Sequence, residues 1–267
     1  MMGQKKQISA KQRKSSVQLH VPALNRSKIR LLDAALHLIR SKGYAATAVD
    51  DICHEAGVTK GSFFHHFKSK DDLALGAVAH WRAMTESFFA AAPYHLAADP
   101  IDRLLGYLDF RAAILTGELA DYTCLLGTLV QETYATHPEI RVACELALSS
   151  HIAELTRDVE AARQLYAADA QWSAQSVGNF IQAVLQGSFI FAKADQSPEV
   201  IRQNLDHLRR ALRALFQPDA YAKTKKTERH PAATDLFANK VEGPQSTDQT
   251  ETEEQEDYDH HRSHYTD

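Results

Sequence analysis

A chain of 267 residues, 44% of them hydrophobic, is long enough for one large domain or two modest ones with a buried core. No run approaches the roughly 18 apolar residues of a membrane span, and the polar, lysine-rich start lacks the apolar stretch of a secretory signal, so a cytoplasmic protein with no membrane partner is expected. The formal charge of −4 hides a segregation: residues 1–70 carry 13 Lys and Arg against 4 acids, a net +9, whereas 71–216 carry a net −7 and 217–267 a net −6. A basic head on an acidic body points to a polyanion that meets the head alone.

Residues 1–24 hold Lys, Gln and Ser without a single acid or any apolar period, and are read as a flexible basic arm. From Asn25 the pattern turns helical, with Ile29, Leu32, Leu36 and Ile39 spaced for one face, Leu31 and Leu38 broadening it, and Gly43 at the position of a C-terminal cap. A helix over about 27–42 is predicted. Thr47 then offers a hydroxyl cap, and Asp50 and Asp51 place negative charge at the start of a second helix reaching Ala56, whose inner positions are Val49, Ile52, Cys53 and Ala56. Gly57 supplies a tight turn, Val58 plugs the angle, and Thr59 caps a third helix over 60–67, with Phe63 and Phe67 inward. Two short helices joined by a Gly-containing turn make a helix-turn-helix, here spanning about 48–67.

A longer helix from Lys70 to about Pro93 links this head, residues 25–86, to a body, residues 87–216, in which five further helices are predicted over about 100–116, 124–136, 138–166, 170–194 and 198–216. No alternating strand pattern occurs, so the fold class is all-α. After Phe216 the apolar content collapses, and 217–267 reads as a disordered acidic tail. The three cysteines, Cys53, Cys124 and Cys144, form no CxxC pair; reduced thiols are expected, and no metal or other cofactor. No nucleophile, base and orienting group share a motif, so an enzyme is not expected.

The segment TAVDDICHEAGVTKGSFFHHFKSK at Thr47 to Lys70, with RLLDAALHLIRSKGY upstream, closely resembles the DNA-binding signature of the tetracycline-repressor-like (TetR) family. The resemblance implies a homodimeric transcription regulator, most simply a repressor, that grips a near-palindromic operator in double-stranded DNA and is released by a small-molecule effector. Carried over residue by residue, it makes Thr47, His66 and Lys70 phosphate contacts. Lys60, Gly61 and Ser62 fall in the first turn of the recognition helix that reaches base edges, next to its cap Thr59; His65 meets a base or a phosphate. Phe64 stands where the family usually has a phosphate-binding tyrosine, and keeps only apolar contact. Asp50 stands where a basic or neutral residue is common, and is assigned to helix-start chemistry. The alternative is an effector-independent architectural protein that coats DNA with the same fold.

The body adds aromatic and polar residues on helices away from DNA. Tyr107, Phe110, Trp172, Phe180 and Phe189, interleaved with Arg111 and Gln182, are the candidate effector-binding set. Cys124, at the start of a body helix, joins them as a candidate electrophile-sensing thiol. The last two helices are expected to pair with their copies in a dimer, through Val177, Phe180, Ile181, Val184, Leu185, Leu205, Leu208, Leu212 and Leu215.

Overall fold

The computed structural model describes residues 23–216; the acidic tail and all but the last two residues of the proposed arm lie outside the described residues. Ala23 and Leu24 already belong to the first helix, which starts four residues earlier than its apolar stripe suggests. The described chain is helical throughout, without strands: α1 (Ala23–Lys42), α2 (Val49–Ala56), α3 (Lys60–His66), α4 (Lys70–Ala90), α5 (Pro100–Ala113), α6 (Leu119–Tyr122), α7 (Leu125–Thr133), α8 (Pro138–Tyr166), α9 (Ala174–Asp195) and α10 (Glu199–Phe216), with one 3-10 turn at Pro93–Leu96. None of these helices is long and apolar enough to cross a membrane.

The head is fixed largely by local chemistry. Gly57 adopts the left-handed conformation at φ 57°, and the Thr59 hydroxyl accepts the Ser62 amide at 3.2 Å, so the turn between α2 and α3 and the start of α3 form as the sequence predicts. At α4 the Ser69 hydroxyl accepts the Asp72 amide at 3.1 Å while the Asp72 carboxylate accepts that of Lys68 at 2.8 Å, a reciprocal cap. The cap of α2 departs from expectation. Its N-cap is Ala48, whose amide is taken by the Asp51 carboxylate at 3.0 Å, while the Thr47 hydroxyl turns inward and donates to the Gly43 carbonyl at 2.6 Å. Asp51 serves both the amide and Lys42, 2.6 Å away, with a negative charge that a hydroxyl lacks.

Two apolar clusters make up the core. The first joins Leu31, Ala35, Leu36 and Ile39 of α1, Ile52, Phe63, Phe67 and the start of α4 to Leu125, Leu126 and Leu129 of α7 and Ile140, Cys144 and Ala147 of α8. The second is built by α5, the far half of α8, α9 and α10 around Tyr107, Leu108, Val159, Ile181 and Leu208. Cys124 packs against both. Cys53 and Cys144 are buried and all three thiols are free. Ile29, expected on the buried stripe of α1, is exposed. Leu31 and Ala35 take its place, because α1 is covered on two sides, by α2 and α4.

Beyond this shared core, head and body are tied by hydrogen bonds at one turn. Gly43, at φ +90°, swings the chain out of α1 so that the amides of Tyr44 and Ala45 both point at the Glu132 carboxylate of α7, at 3.0 and 2.8 Å. Tyr44 also donates its hydroxyl to Asp71 and stacks edge-on against His137, while Lys70 donates to the Tyr44 carbonyl at 3.1 Å and lies over its ring. A Cβ at position 43 would sit 2.5 Å from a Glu132 oxygen and would require a positive φ. Gly43→Ala is therefore expected to lower stability by about 1–3 kcal/mol, read as a fall in the melting temperature. An unchanged melt would show that this turn is not under the constraint described.

Candidate DNA-contact face and internal cavity

The outer face of α3 is built as the helix-turn-helix pattern requires. Phe63 and Phe67 anchor its inner side, leaving Lys60, Gly61, Phe64 and His65 exposed and Ser62 and His66 half-buried. Arg30 braces the preceding turn from α1, donating to the carbonyls of Ala56 and Gly57. Lys60 does not stand alone: its ammonium lies 2.7 Å from Asp50, and both side chains are more than 60% exposed. The carboxylate holds the Lys60 ammonium above its ordinary pKa. Burial, then the charges of His65 and Lys28, push the His66 imidazole below its ordinary value. Two expected phosphate contacts are placed differently. Thr47 is 1% exposed with its hydroxyl spent on Gly43, so it offers no free donor at the surface. Lys70 is half-buried and engaged by Tyr44, although its ammonium carries further donors.

Between the body helices and α1 and α4 lies a cavity of about 530 Å³. Trp81, Arg82 and residues 84–89 of α4 form one wall, with Phe88 and Phe89; Arg111 of α5 and Ile114 just after it close the cavity, with Tyr122 of α6 and the following Thr123, Cys124 before the start of α7, His151 from α8, and Gln182, Gln186 and Phe189 from α9. Arg40 reaches it from the head helix α1, donating to the Asp121 carbonyl at 3.2 Å and stacking over Trp81 with 4.8 Å to the ring centroid. A smaller cavity of about 340 Å³ adjoins, sharing Arg40, Cys124, Gln186 and Phe189 and adding Lys42, Gly43 and Glu132.

Of the eight effector-binding candidates, Arg111, Cys124, Gln182 and Phe189 line the main cavity. Tyr107 lies one layer behind, fully buried, its hydroxyl accepting from Arg111 Nε at 2.8 Å and donating to His151 Nε2 at 3.0 Å. Phe110 backs the wall against Phe88 and Phe89. Trp172 and Phe180 fall elsewhere: Trp172 packs edge-on against Phe216 and Phe180 faces outward from α9. Sequence reasoning missed Arg40, Trp81, Thr123, His151 and Gln186. Arg40 and Trp81 sit on helices assigned to the head, so only the packing of α1 and α4 against the body reveals them.

The described residues contain three buried side-chain polar atoms without a hydrogen-bond partner: Thr123 Oγ1, Gln182 Oε1 and Gln186 Nε2. All three residues line the cavity. Buried polar atoms are nearly always satisfied, so three in one lining mark a polar recognition surface beside the aromatic wall of α4.

Comparison with known proteins matches two stretches of the chain. A family described as bacterial regulatory proteins, tetR family, matches residues 31–77, and one described as the C-terminal domain of LmrA/YxaF-like transcriptional regulators matches 100–207. An uncharacterized HTH-type transcriptional regulator in the lacX 3' region of Lactococcus lactis subsp. lactis is 26% identical over 191 residues, 72% of this chain and 95% of that protein. The HTH-type transcriptional repressor DhaR of Mycobacterium sp. (strain GP1) is 22% identical over 66% of this chain and 86% of its own. Among solved structures, the regulatory protein TetR from Rhodobacter sphaeroides shares the fold with a TM-score of 0.63, at 22% identity over 71% of this chain and 98% of that one.

His151 gives the cavity a signature that needs no partner to read. Burial first, then the charge of Arg111, pushes its imidazole down to about 3, from an ordinary value of 6.5. The unfolded chain therefore takes up this proton first as pH falls. The stability His151 contributes is fully present above about pH 6.5 and is lost toward pH 3, by at most about 1.4 kcal/mol per pH unit. His151→Gln, which keeps a hydrogen-bonding side chain but does not titrate, is expected to flatten the fall in melting temperature between pH 6.5 and 4 relative to wild type. Parallel curves for the two proteins would show that His151 is not held neutral.

Proposed function

Because the chain belongs to the TetR family of bacterial transcriptional regulators, with a DNA-binding helix-turn-helix before an all-helical body, we propose that it is a cytoplasmic, homodimeric repressor that leaves its operator when a small molecule fills the body cavity. The observation that carries this reading is the cavity wall itself. Arg40 of the head helix and Trp81 of the linking helix α4 both face it, so a ligand there touches the elements that orient the recognition helix. An architectural protein has no use for such a pocket.

On DNA, α3 would enter the major groove with Lys60 reaching guanine, Gly61 permitting close approach, and Ser62, His65 and His66 on bases or phosphates. The Asp50 carboxylate makes Lys60 exchange one partner for another on binding. An exposed pair of this kind is worth little by itself, so it tunes affinity without blocking it. Lys70 and the Thr59 end of α3 hold register on the backbone.

The second copy would dock on α9. Phe180, Val184, Gly187 and Phe191 recur at helical spacing; Phe180 and Phe191 are exposed, Val184 is partly buried, and no atom lies within 4 Å of a Cβ built at Gly187. This revises the expected interface. Val177, Ile181, Leu185, Leu205, Leu208 and Leu212 are buried in the protein's own core, and the outward face of α10 carries Gln203, Asp206, His207 and Arg210. That polar face suits the rim of an interface centred on α9.

Operator duplexes selected from random sequence, followed by anisotropy titration at fixed salt, test the DNA face. Lys60→Ala is expected to weaken operator binding by about 1–3 kcal/mol and relax one base position, while Asp50→Asn tightens binding and steepens its salt dependence. Equal affinity of both variants and wild type would refute the assigned recognition helix. Sedimentation of Phe180→Asp is expected to give monomers with far weaker operator binding; a persistent dimer would move the interface off α9.

A further inference from the structure

The charges around the cavity are unevenly balanced. Glu86 is 2.7 Å from Arg82 and accepts from Ser150. The Asp121 carboxylate accepts the Glu118 amide at 2.8 Å and acts electrostatically on Arg40, which hydrogen-bonds its main chain. Arg111 has no such counterpart. Its hydrogen bonds go to the Tyr107 hydroxyl at 2.8 Å and to His151 Nε2 at 3.2 Å, its plane rests 4.3 Å from the centroid of Phe89, and no carboxylate lies within 4.0 Å of it among the described residues. His151, held neutral, adds no charge of either sign. A half-buried guanidinium keeps five donors, and two neutral acceptors do not use them all.

We infer that the cavity takes a small organic anion, whose carboxylate or similarly charged end pairs with Arg111 and whose flat apolar body lies against the aromatic wall of α4. This rests on the effector reading above and names the chemical class of the effector. Three further features agree with it. Thr123 Oγ1 and Gln186 Nε2 are buried donors without partners, suited to a second oxygen of the anion, and Gln182 Oε1 is an acceptor suited to a hydroxyl or amine on its body. A volume of about 530 Å³ falls in the range of small-molecule sites. The planar fork of Arg111 matches a carboxylate in a way an ammonium does not.

The test uses the full-length protein and three acid–amide pairs: benzoate, cinnamate and 2-naphthoate, each against its primary amide, titrated by calorimetry into wild type, Arg111→Gln and Arg111→Lys. At least one carboxylate is expected to bind saturably and about tenfold or more tighter than its amide. Arg111→Gln should erase that preference, and Arg111→Lys should keep part of it, since the charge survives without the fork. If Arg111→Gln does not fold, the acid–amide comparison in wild type and in Arg111→Lys decides. The inference is overturned if no carboxylate binds, if amides bind as well as acids, or if the preference survives Arg111→Gln. Titrations repeated with operator duplex separate the two claims. A neutral ligand that releases DNA leaves the effector reading standing and removes the anion, whereas an Arg111-dependent carboxylate with no effect on operator binding keeps the anion site and removes the effector reading.

Discussion

One carboxylate ties the turn between α1 and α2 to the body beneath it. Glu132 of α7 receives the amides of both Tyr44 and Ala45, and without it two main-chain donors at the turn between α1 and α2 would lose their charged acceptor. Everything at this junction converges on Tyr44: its amide is held from α7, its carbonyl and ring by Lys70 of α4, its hydroxyl by Asp71, and its edge by His137 at the joint before α8. The turn is thus a hub between the second helix of the head and the three helices that carry it.

The same turn lies four residues beyond Arg40, which sees the cavity. In the proposed mechanism a ligand that draws on Arg40, or displaces Trp81 beneath it, acts on α1 one turn before the chain leaves the helix for Tyr44. Such a change moves two heads relative to each other only if the ligand prefers the released arrangement, and operator DNA must then weaken the ligand by the same factor. A network of packed and hydrogen-bonded groups between cavity and head supplies a path of direct contacts, with the smaller cavity touching Arg40, Gly43 and Glu132 together.

How much of this was legible in the sequence follows from how local each cause is. The helix-turn-helix could be read because Gly57 turns the chain at its own left-handed backbone and Thr59 accepts an amide three residues on, both within reach of a pattern. Thr47 was misread for the same reason. A hydroxyl before a helix looks like a cap, and only the fold shows Asp51 taking the amide and Gly43 taking the hydroxyl. The 3-10 turn and α6, four residues each, are too short to display a period. Helical spacing identified the apolar residues of α9 and α10 but could not say which neighbour covers them. Leu208 and Phe180 looked alike, and one is core while the other faces out. The cavity was half legible because Arg111, Gln182 and Phe189 are conspicuous on body helices, whereas Arg40 belongs to a helix whose role seemed complete without it.

The first core cluster also orders events during synthesis of the chain. Head residues from Leu31 to Val78 share their cluster with Leu125, Leu129, Ile140 and Ala147, the last of which is made 69 residues after Val78. At translation rates of about 5–20 residues per second, the head waits several seconds on the ribosome with one apolar face uncovered. A nascent chain therefore presents no finished reading head until α7 and the first turns of α8 have emerged. A hybrid regulator that borrows this head cut after α4 would lose the part of that cluster supplied by α7 and α8.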